Sequence, residues 1–362
     1  MSRQTPTTSN FLYSNEAHQS FSLKHSDSAT GFHSLIEAKK PQIIDTYILQ
    51  LKDWIRIRNP DKRFTPGELD TKATELAGPE PDQEGTWIYY PWNNLLIHLL
   101  DKEAFIEVRT NRNKLKITEA EQTSLQNKTI GIIGLSVGQS VALTMATERI
   151  CGRLKLADFD TLDLSNLNRI RSGVQHIGQK KTTLAAHEIA EMDPYLDVEC
   201  FEEGITEQNI DSFLGGEYPV DLLIEVCDGL DVKILSRIKA REKGIPVIMD
   251  TNDRGMLDIE RFDLEPQRPL FHGLVDESLL QPGIEIPAEK RLDVLMQLAS
   301  FNQTSERLKL SMQEIGKSII TWPQLASSVV MGGGITCDVA RKLLLGKPLK
   351  SGRYYVDLDE FF

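Results

Sequence analysis

The stretch TIGIIGLSVGQSVALTMATERI (Thr129–Ile150) and the following RLKLADFDTLDLSNLNR (Arg153–Arg169) decide the fold. The first opens with a short Ile-rich run, typical of a buried strand, and continues through a turn bracketed by Gly134 and Gly138 into a helix-like segment. Backbone N–H groups at such a turn, beside a helix N-terminus, suit a phosphate group. Asp158, at the end of the next strand-like run, suits a ribose hydroxyl. The stretch therefore predicts a nucleotide-binding β-α-β unit.

Strand-like and helix-like runs alternate along the middle of the chain. The strand-like runs are 129–134, 153–159, 197–202, 220–228 and 245–251. The helix-like runs between them are 139–150, 180–192, 207–214 and 231–244. This alternation predicts an α/β, Rossmann-like fold with a mostly parallel sheet and helices on both faces. Ligands of such sheets bind beyond the C-terminal ends of the strands, where Gly134, Asp158, Asp228 and Asp250 are expected.

The flanking regions differ in composition from this core. Residues 1–33 are polar and rich in Ser and Thr, which predicts a mobile tail. Residues 34–105 predict a helical extension, in which the aromatic run 87–92 forms core or, alternatively, a nucleobase platform. Residues 106–362 form the predicted main domain, which ends in a helical hairpin and a long segment, 321–346. The glycines at 332–334 suit a close helix contact, inside a bundle or across a dimer.

Composition limits the class of protein. The net charge is −12 with a pI near 5.2, which disfavours nucleic acid as a partner. No run of about 18 apolar residues and no signal peptide occurs, so a soluble protein without a membrane partner is expected. The four cysteines form no C-x-x-C pair and are scattered, which predicts a reduced, cytoplasmic chain without a structural zinc site: Cys151, Cys200, Cys227 and Cys337.

The glycine turn is weak evidence when taken alone. A dinucleotide fingerprint reads G-x-G-x-x-G, whereas Ser136 stands here where its second glycine is expected. A tight strand-to-helix turn without a ligand explains the two glycines equally well. The sequence G-x-x-x-x-G-K-[ST] is absent, which excludes a P-loop protein.

The residues that follow Asp158 point more specifically to phosphate. Amides and cations cluster there and would surround a polyphosphate: Asn166, Arg169, Arg171, Lys180 and Lys181. A solvated charged loop is the alternative. Asp228 follows a buried-looking strand, where a carboxylate can hold the Mg²⁺ that accompanies ATP. Its alternative role is to cap the helix that begins near Asp231.

These motifs together resemble the ThiF/MoeB superfamily, the ubiquitin-activating-enzyme-like adenylyltransferases. The segments that carry the resemblance are GIIGLSVG (131–138), DFDTLDLSNLNR (158–169), GQKK (178–181) and EVCDG (225–229). The resemblance implies catalytic roles for Arg112, Arg169, Lys181 and Asp228, the last as the magnesium ligand. It implies a cofactor-binding set of Gly134, Ser136, Gly138, Asp158, Asp160, Asn166 and Lys180. Lys181 lies one residue closer to Arg169 than usual, so Lys180 competes with it for the phosphate.

The resemblance also implies a homodimer. Arg109 and Arg112 match an R-x-x-R element whose second arginine reaches the partner subunit's site in that family. The chain departs from the family at Ile170, where a glutamine is usual, and it lacks zinc cysteine pairs. With its long N-terminal extension, it is similar to a divergent bacterial branch.

The predicted activity is ATP-dependent adenylation of a carboxylate with release of pyrophosphate, using ATP and Mg²⁺. No cysteine lies where a thioester nucleophile is expected, so transfer to an amine or an external thiol is predicted. The acid is a small protein's C-terminus, a peptide or a metabolite, and residues 251–255 either line its pocket or form a simple loop. The alternatives are an NAD-linked oxidoreductase, using His176 or His187, and a nucleotide-binding scaffold without turnover.

Overall fold

The computed structural model describes residues 17–280, 288–298 and 300–362. The chain divides into two compact units, Met1–Lys116 and Ile117–Phe362. The sequence places this division at residue 106, before the helix that closes the first unit. Phe105 and Val108 of that helix pack with Tyr47, Leu51 and Ile55, so the helix belongs to the N-terminal unit.

The N-terminal unit contains a four-stranded sheet in addition to helices, with strand order β1-β3-β4-β2. Its elements are β1 (Gln19–Phe21), α1 (Ser26–Lys39), β2 (Gln42–Asp45), α2 (Tyr47–Arg58), α3 (Pro66–Ala77), β3 (Thr86–Tyr90), β4 (Leu95–Leu99) and α4 (Lys102–Thr110). The helical extension predicted for 34–105 thus contains helices, and the strands of this sheet were not predicted. Pro41 interrupts the apolar pattern, and the next four residues pair in parallel with β4 instead of continuing α1.

Regular structure occurs in the described part of the predicted tail, 17–33, whose mobility stays a prediction. Strand β1 pairs with β3 through residues 87–89, and Phe32 of α1 is buried against Trp87. Residues 1–16 of that prediction lie outside the described residues. The aromatic run 87–92 forms part of the core, which agrees with the first of its two interpretations, because Trp87, Tyr89 and Tyr90 are buried.

The second unit is built on a seven-stranded sheet of order β11-β10-β9-β8-β5-β6-β7. Its strands are β5 (Thr129–Ile133), β6 (Arg153–Ala157), β7 (Asp197–Phe201), β8 (Leu222–Glu225), β9 (Val247–Asp250), β10 (Met256–Glu260) and β11 (Gly352–Tyr355). Strands β5 to β9 are parallel and lie within the five predicted runs, so the predicted fold class is confirmed. The antiparallel β10 and β11 were not predicted, because their charged and aromatic residues form no apolar run.

Helices cover both faces of this sheet. They are α5 (Glu119–Leu125), α6 (Gly138–Glu148), α7 (Lys181–Met192), α8 (Ile210–Leu214), α9 (Leu230–Lys243), α10 (Ala288–Leu298), α11 (Glu306–Met312) and α12 (Ala326–Leu344). Ile130 and Ile132 of β5 join the core beneath α6 and α12, whereas Ile133 faces α8 and α9 on the opposite side. Strands buried on both faces explain the continuous apolar runs.

Helix α12 lies close to α6, as its glycines predicted. A Cβ atom at Gly333 would lie 2.7 Å from the Ser140 hydroxyl oxygen and 3.1 Å from its carbonyl oxygen. The close contact is therefore made within the unit. Among the described residues, no helix combines the length and the apolar content required to cross a membrane.

Candidate functional site

The glycine turn between β5 and α6 is required by packing. Gly134 has a positive φ of 89°, and a Cβ there would lie 2.8 Å from the backbone of Cys227. A Cβ at Gly138 would lie 2.9 Å from the Ile132 side chain, so only glycine lets α6 begin so near the sheet. Strand β5 lies between β8 and β6, where the strand order reverses. The turn therefore sits at the topological switch, where ligands of such sheets bind.

Asp158 follows β6 and holds this turn. Its Oδ2 accepts the backbone N–H of Leu135 (2.6 Å), and its Oδ1 accepts that of Asp160 (2.8 Å). The side chain is buried, and burial raises the pKa of its carboxyl, while the two backbone donors and Lys181 oppose the rise. The Asp158 carboxylate thus connects the ends of β5 and β6 by hydrogen bonds. Each of its oxygens keeps one further lone pair that can accept a hydrogen bond from a ligand.

Ser136 replaces a glycine of the dinucleotide fingerprint and contacts Arg169. Arg169 Nε donates to Ser136 Oγ at 3.0 Å, a bond that glycine cannot make. Gln139 of α6 holds the chain two residues further on, since it exchanges two hydrogen bonds with the backbone of Arg171 (3.1 and 3.2 Å). Burial lowers the pKa of Arg169, and the charge of Asp228 opposes that shift. A guanidinium remains protonated in proteins, so Arg169 is a cation held above the glycine turn.

The two competing lysines point to different partners. Lys181, the first residue of α7, is buried, and its Nζ donates to Asp160 Oδ2 at 2.7 Å. Lys180 Nζ instead donates to the carbonyl oxygens of Phe159 (2.6 Å) and Glu202 (3.3 Å). The structure therefore brings Lys181, and not the ammonium of Lys180, to Asp158 and Asp160.

Two asparagines shape the loop after β6. Asn166 Oδ1 accepts the backbone N–H of Asp163 (3.1 Å), which leaves its Nδ2 group as a donor. Asn168 was not predicted, yet it links two parts of the site. Its Oδ1 accepts from Arg169 Nη1 (2.8 Å), and its Nδ2 donates to the carbonyl oxygen of Gln324 (2.7 Å), ahead of α12.

Asp228 lies past the end of β8 and is exposed. In the described part of the chain its carboxylate makes no hydrogen bond or ion pair, while its charge acts on Arg169. Lys233 does not neutralise it, because Lys233 Nζ donates to both oxygens of the buried Glu225 (3.0 and 3.2 Å). An unpaired carboxylate of this kind fits a magnesium ion, which proteins bind through one or two carboxylates together with phosphate oxygens.

A cavity of about 1200 Å³ opens beside Asp228. Residues 251–255 line it, together with Asp250 at the end of β9, Cys227 after β8 and Val137 in the glycine turn; that residues 251–255 bind the acid stays a prediction. Residues of α10, α11 and the segment 322–325 form other parts of its wall. Sequence reasoning did not single out Gln324. The cavity and the glycine turn therefore share the C-terminal edge of the sheet.

The four cysteines are free and poorly suited to nucleophilic attack. Burial raises the pKa of each thiol above its ordinary value, to about 12 for Cys151 and Cys200. Cys227, which lines the cavity, is further disfavoured as a thiolate by the charge of Glu225. Because the thiolate is the reactive form, none of these thiols is activated.

Arg112 and two histidines complete the set of residues that the sequence singles out. Arg112 is exposed in a short turn, Asn111–Asn113, of the N-terminal unit, and its role in a partner's site stays a prediction. Burial lowers the pKa of His187 to about 4, so this imidazole is neutral and a poor proton donor at pH 7. His176 bonds to Gln175 and Gln179 on its own loop.

Fold and site together define a Rossmann-like α/β protein with a charged site at the switch point of its sheet. The chain belongs to the ThiF family, whose family model matches residues 110–361. This confirms the resemblance seen in the motifs.

Individual relatives differ in how much they share with the chain. An uncharacterized protein of Mycobacterium tuberculosis is 39% identical over 80% of the chain, which spans 42% of that protein's length. The tRNA threonylcarbamoyladenosine dehydratase of Bacillus subtilis is 24% identical over 64% of the chain and 95% of its own length. The crystal structure of the Escherichia coli dehydratase TcdA is similar to 66% of the chain, at 17% identity and a TM-score of 0.47, and 95% of that structure is covered.

Proposed function

We propose that this chain is an ATP-dependent adenylyltransferase that activates a carboxylic acid as its acyl-adenylate. The observation that carries the proposal is the meeting of two features at one sheet edge. A turn with Asp158, Arg169 and Lys181 around it adjoins an unpaired Asp228, and Asp228 lines a cavity large enough for an organic acid. Membership of the ThiF family supports the same assignment.

In the proposed reaction, a carboxylate oxygen of the acid attacks the α-phosphorus of ATP. A new P–O bond forms, the bond between the α-phosphorus and the β-bridging oxygen breaks, and pyrophosphate leaves with the bonding electrons. Negative charge therefore grows on the leaving group, and preorganised cations lower the barrier where charge develops. Arg169 and Lys181 are the cations already held in place by Ser136 and Asp160.

The remaining residues orient the nucleotide. The N–H groups of Gly134 and Leu135 already donate to Ala157 and Asp158, so the backbone N–H groups of Ser136 to Gly138, at the start of α6, donate to phosphate oxygens. The lone pairs left on Asp158 accept ribose hydroxyls, and Asn166 Nδ2 donates to phosphate. Asp228 would hold a magnesium ion, which would supply neutralisation of the phosphate charge. Lys180 has a supporting role, because its ammonium is bound to two carbonyl groups.

Two further parts of the proposal concern partners. Arg112 completes the phosphate site of a second copy, so the active form is a homodimer. The acyl group passes to an amine or an external thiol, because the four protein thiols are not activated. A covalent thioester to Cys227, detected by mass spectrometry after incubation with ATP and acid, would contradict this part.

The proposal is tested by calorimetric titration with MgATP and with NAD, followed by ATP–pyrophosphate exchange over a panel of acids. We expect saturable MgATP binding, no comparable NAD binding, and exchange that depends on an added acid. Binding of NAD in preference to ATP would establish the oxidoreductase alternative. Binding of ATP without any exchange would favour the scaffold.

A further inference from the structure

The cavity beside Asp228 contains polar atoms that have no protein partner. Three side-chain oxygens of its lining residues are buried and accept no hydrogen bond within the described structure: Asp250 Oδ2, Asn252 Oδ1 and Gln324 Oε1. As the two amides are oriented, all three of these atoms are acceptors, so none of them donates to another. Buried acceptors are normally satisfied, and a group of three in one cavity points to a ligand rich in hydrogen-bond donors.

Asp250 is the charged member of this group. Its residue is 5% exposed, and its Oδ1 accepts the backbone N–H of Asn252 at 2.8 Å. Burial raises its pKa to about 6, so most of the carboxyl is ionised at pH 7 and above. A buried carboxylate without a counter-charge is unfavourable, and proteins pair or neutralise it.

No cation of the described chain supplies that counter-charge. Around the cavity, Lys233 is bound to Glu225, and Arg254 is bound to Asp357 and Glu360. Lys309 pairs with Glu306 of its own helix, and Arg307 is exposed on α11. Asp250 therefore lines the cavity without a neighbouring cation in the described chain, and its Oδ2 lies against the backbone of Gly332.

Helix α12 brings two of the three oxygens to one place. A Cβ atom at Gly332 would overlap Asp250 Oδ2 and would lie 2.8 Å from Asn252 Oδ1. Gly332 thus provides the space in which both acceptors fit. The third acceptor, on Gln324, belongs to the segment that leads into the same helix.

We propose that Asp250, Asn252 and Gln324 form a subsite for a protonated amino group of the acyl substrate. An ammonium group carries one positive charge and up to three N–H donors, which matches one carboxylate and two neutral carbonyl oxygens. A neutral amide or hydroxyl would satisfy acceptors but would leave the charge of Asp250 uncompensated. The substrate class is accordingly an amino-carboxylate, such as an amino acid or a short peptide with a free amine. This inference rests on the proposed adenylation for the carboxylate end of the ligand.

The subsite is tested first without ATP, so that its result is independent of adenylation. Thermal unfolding is followed at pH 8 while n-propylammonium chloride is added, with NaCl and KCl at equal ionic strength as references. Ligand that binds the folded state raises Tm in a saturable way. We expect such a rise for the wild type with propylammonium alone. The expected loss of affinity in Asp250→Asn is about tenfold or more, as for a charged hydrogen-bond partner.

Asp359→Asn is the matched control, since Asp359 also lines the cavity but is exposed, and it should respond like the wild type. Gln324→Leu removes a neutral acceptor only, and we expect a loss of about three- to tenfold. This variant still tests the subsite if Asp250→Asn does not fold. Absence of a response in the wild type, an equal response to KCl, or an unchanged response in both variants would overturn the subsite.

The second experiment compares acids that differ only in the amino group. In ATP–pyrophosphate exchange, an active amino-carboxylate should lose most of its activity when its amine is replaced by hydrogen. A deaminated acid that works as well as its amino partner would overturn the subsite while leaving adenylation established. Conversely, ammonium binding at Asp250 without exchange for any acid would retain the subsite and count against the proposed reaction.

Discussion

The two halves of the site differ in how their polar groups are paired. At the glycine-turn edge (Gly134–Gly138, Asp158–Arg169 and Lys181), the polar side chains already have protein partners. Asp158 accepts a hydrogen bond from the backbone of Leu135, Asp160 pairs with Lys181, and Ser136 accepts a hydrogen bond from Arg169. In the cavity, three buried oxygens remain without a partner. The first half is preorganised for one kind of ligand, whereas the buried acceptors of the second half need a ligand to supply their hydrogen bonds. This difference is consistent with the proposed function, in which the first half binds the same cosubstrate in every reaction and the second half selects the acid.

The largest effect is expected at the junction of the two halves. Arg169→Ala or Asp228→Ala should lower kcat for ATP–pyrophosphate exchange by about 10²–10³-fold, because each removes one preorganised charge at the reacting phosphates. The matched control is Asp231→Asn, which changes an exposed acid three residues after Asp228 at the start of α9, and should stay within about twofold. Exchange at the wild-type rate in both alanine variants would remove them from the mechanism.

The unpaired charge of Asp250 predicts a pH-dependent stability difference. Burial raises its pKa to about 6 in the folded chain, compared with about 3.9 in an unfolded one. The raised pKa means that folding favours the protonated form of Asp250. The contribution of this group to the free energy of unfolding is therefore fully present below about pH 4 and is lost as the pH rises through 6.

Relative to Asp250→Asn, the wild type should therefore lose up to about 3 kcal/mol of unfolding free energy between pH 4 and pH 7. Urea unfolding of both proteins at several pH values measures this difference. A difference that does not change with pH would show that Asp250 already has a counter-charge in the free protein, and the contrast between the two halves would disappear.

The neighbouring lysines provide the next comparison. Lys181→Ala should lower kcat/KM for ATP by about 10- to 100-fold, since a charge-assisted phosphate contact is lost. Lys180→Ala should keep kcat/KM near the wild-type value while lowering stability by about 1 kcal/mol, because its bonds to Phe159 and Glu202 support the loop. Steady-state kinetics and urea unfolding separate these outcomes. The opposite order of kinetic effects would assign the phosphate to Lys180.

The smallest effect concerns Ser136. Ser136→Ala removes the acceptor of Arg169 Nε without altering any charge, so kcat/KM for ATP should fall by about three- to tenfold. In a background that already carries Arg169→Ala, the same change should have little further effect, because the two residues share one interaction. Additive losses in the double variant would mean that Ser136 acts on the nucleotide separately.

Much of the fold was predictable because parallel strands buried on both faces leave long apolar signals. The five runs from 129 to 251 each contain a strand, and the glycines at 134 and 138 mark the turn between the first of them and α6. The sheet of the N-terminal unit was missed because β2 is exposed along its length and the spacing of Ile43 and Ile44 continues into the apolar stripe of α2. Its pairing with β4 depends on residues about 50 positions away.

The site was predictable to the extent that neighbouring residues carry it. The cluster 158–181 was visible in one stretch, but spacing alone did not decide between Lys180 and Lys181. That choice depends on which side of the first turn of α7 faces Asp160. Asp250 was expected at the ligand-binding edge of the sheet, but its unpartnered oxygen was not. Asn168 and Gln324 gave no local signal, because their significance arises from contacts between distant segments and, for Gln324, from the absence of a side-chain partner in the described structure.

The side chain of Asn168 joins the two halves, since one end of its amide holds the Arg169 guanidinium and the other holds the main chain at Gln324. In the proposed reaction, an acid that moves the cavity wall at Gln324 would also move the Arg169 guanidinium beside the phosphates. Thermodynamic linkage then requires that, if the acid increases the affinity for ATP, ATP increases the affinity for the acid by the same factor. Such synergy would favour the ternary complex over either binary complex and limit wasteful hydrolysis of unaccompanied ATP.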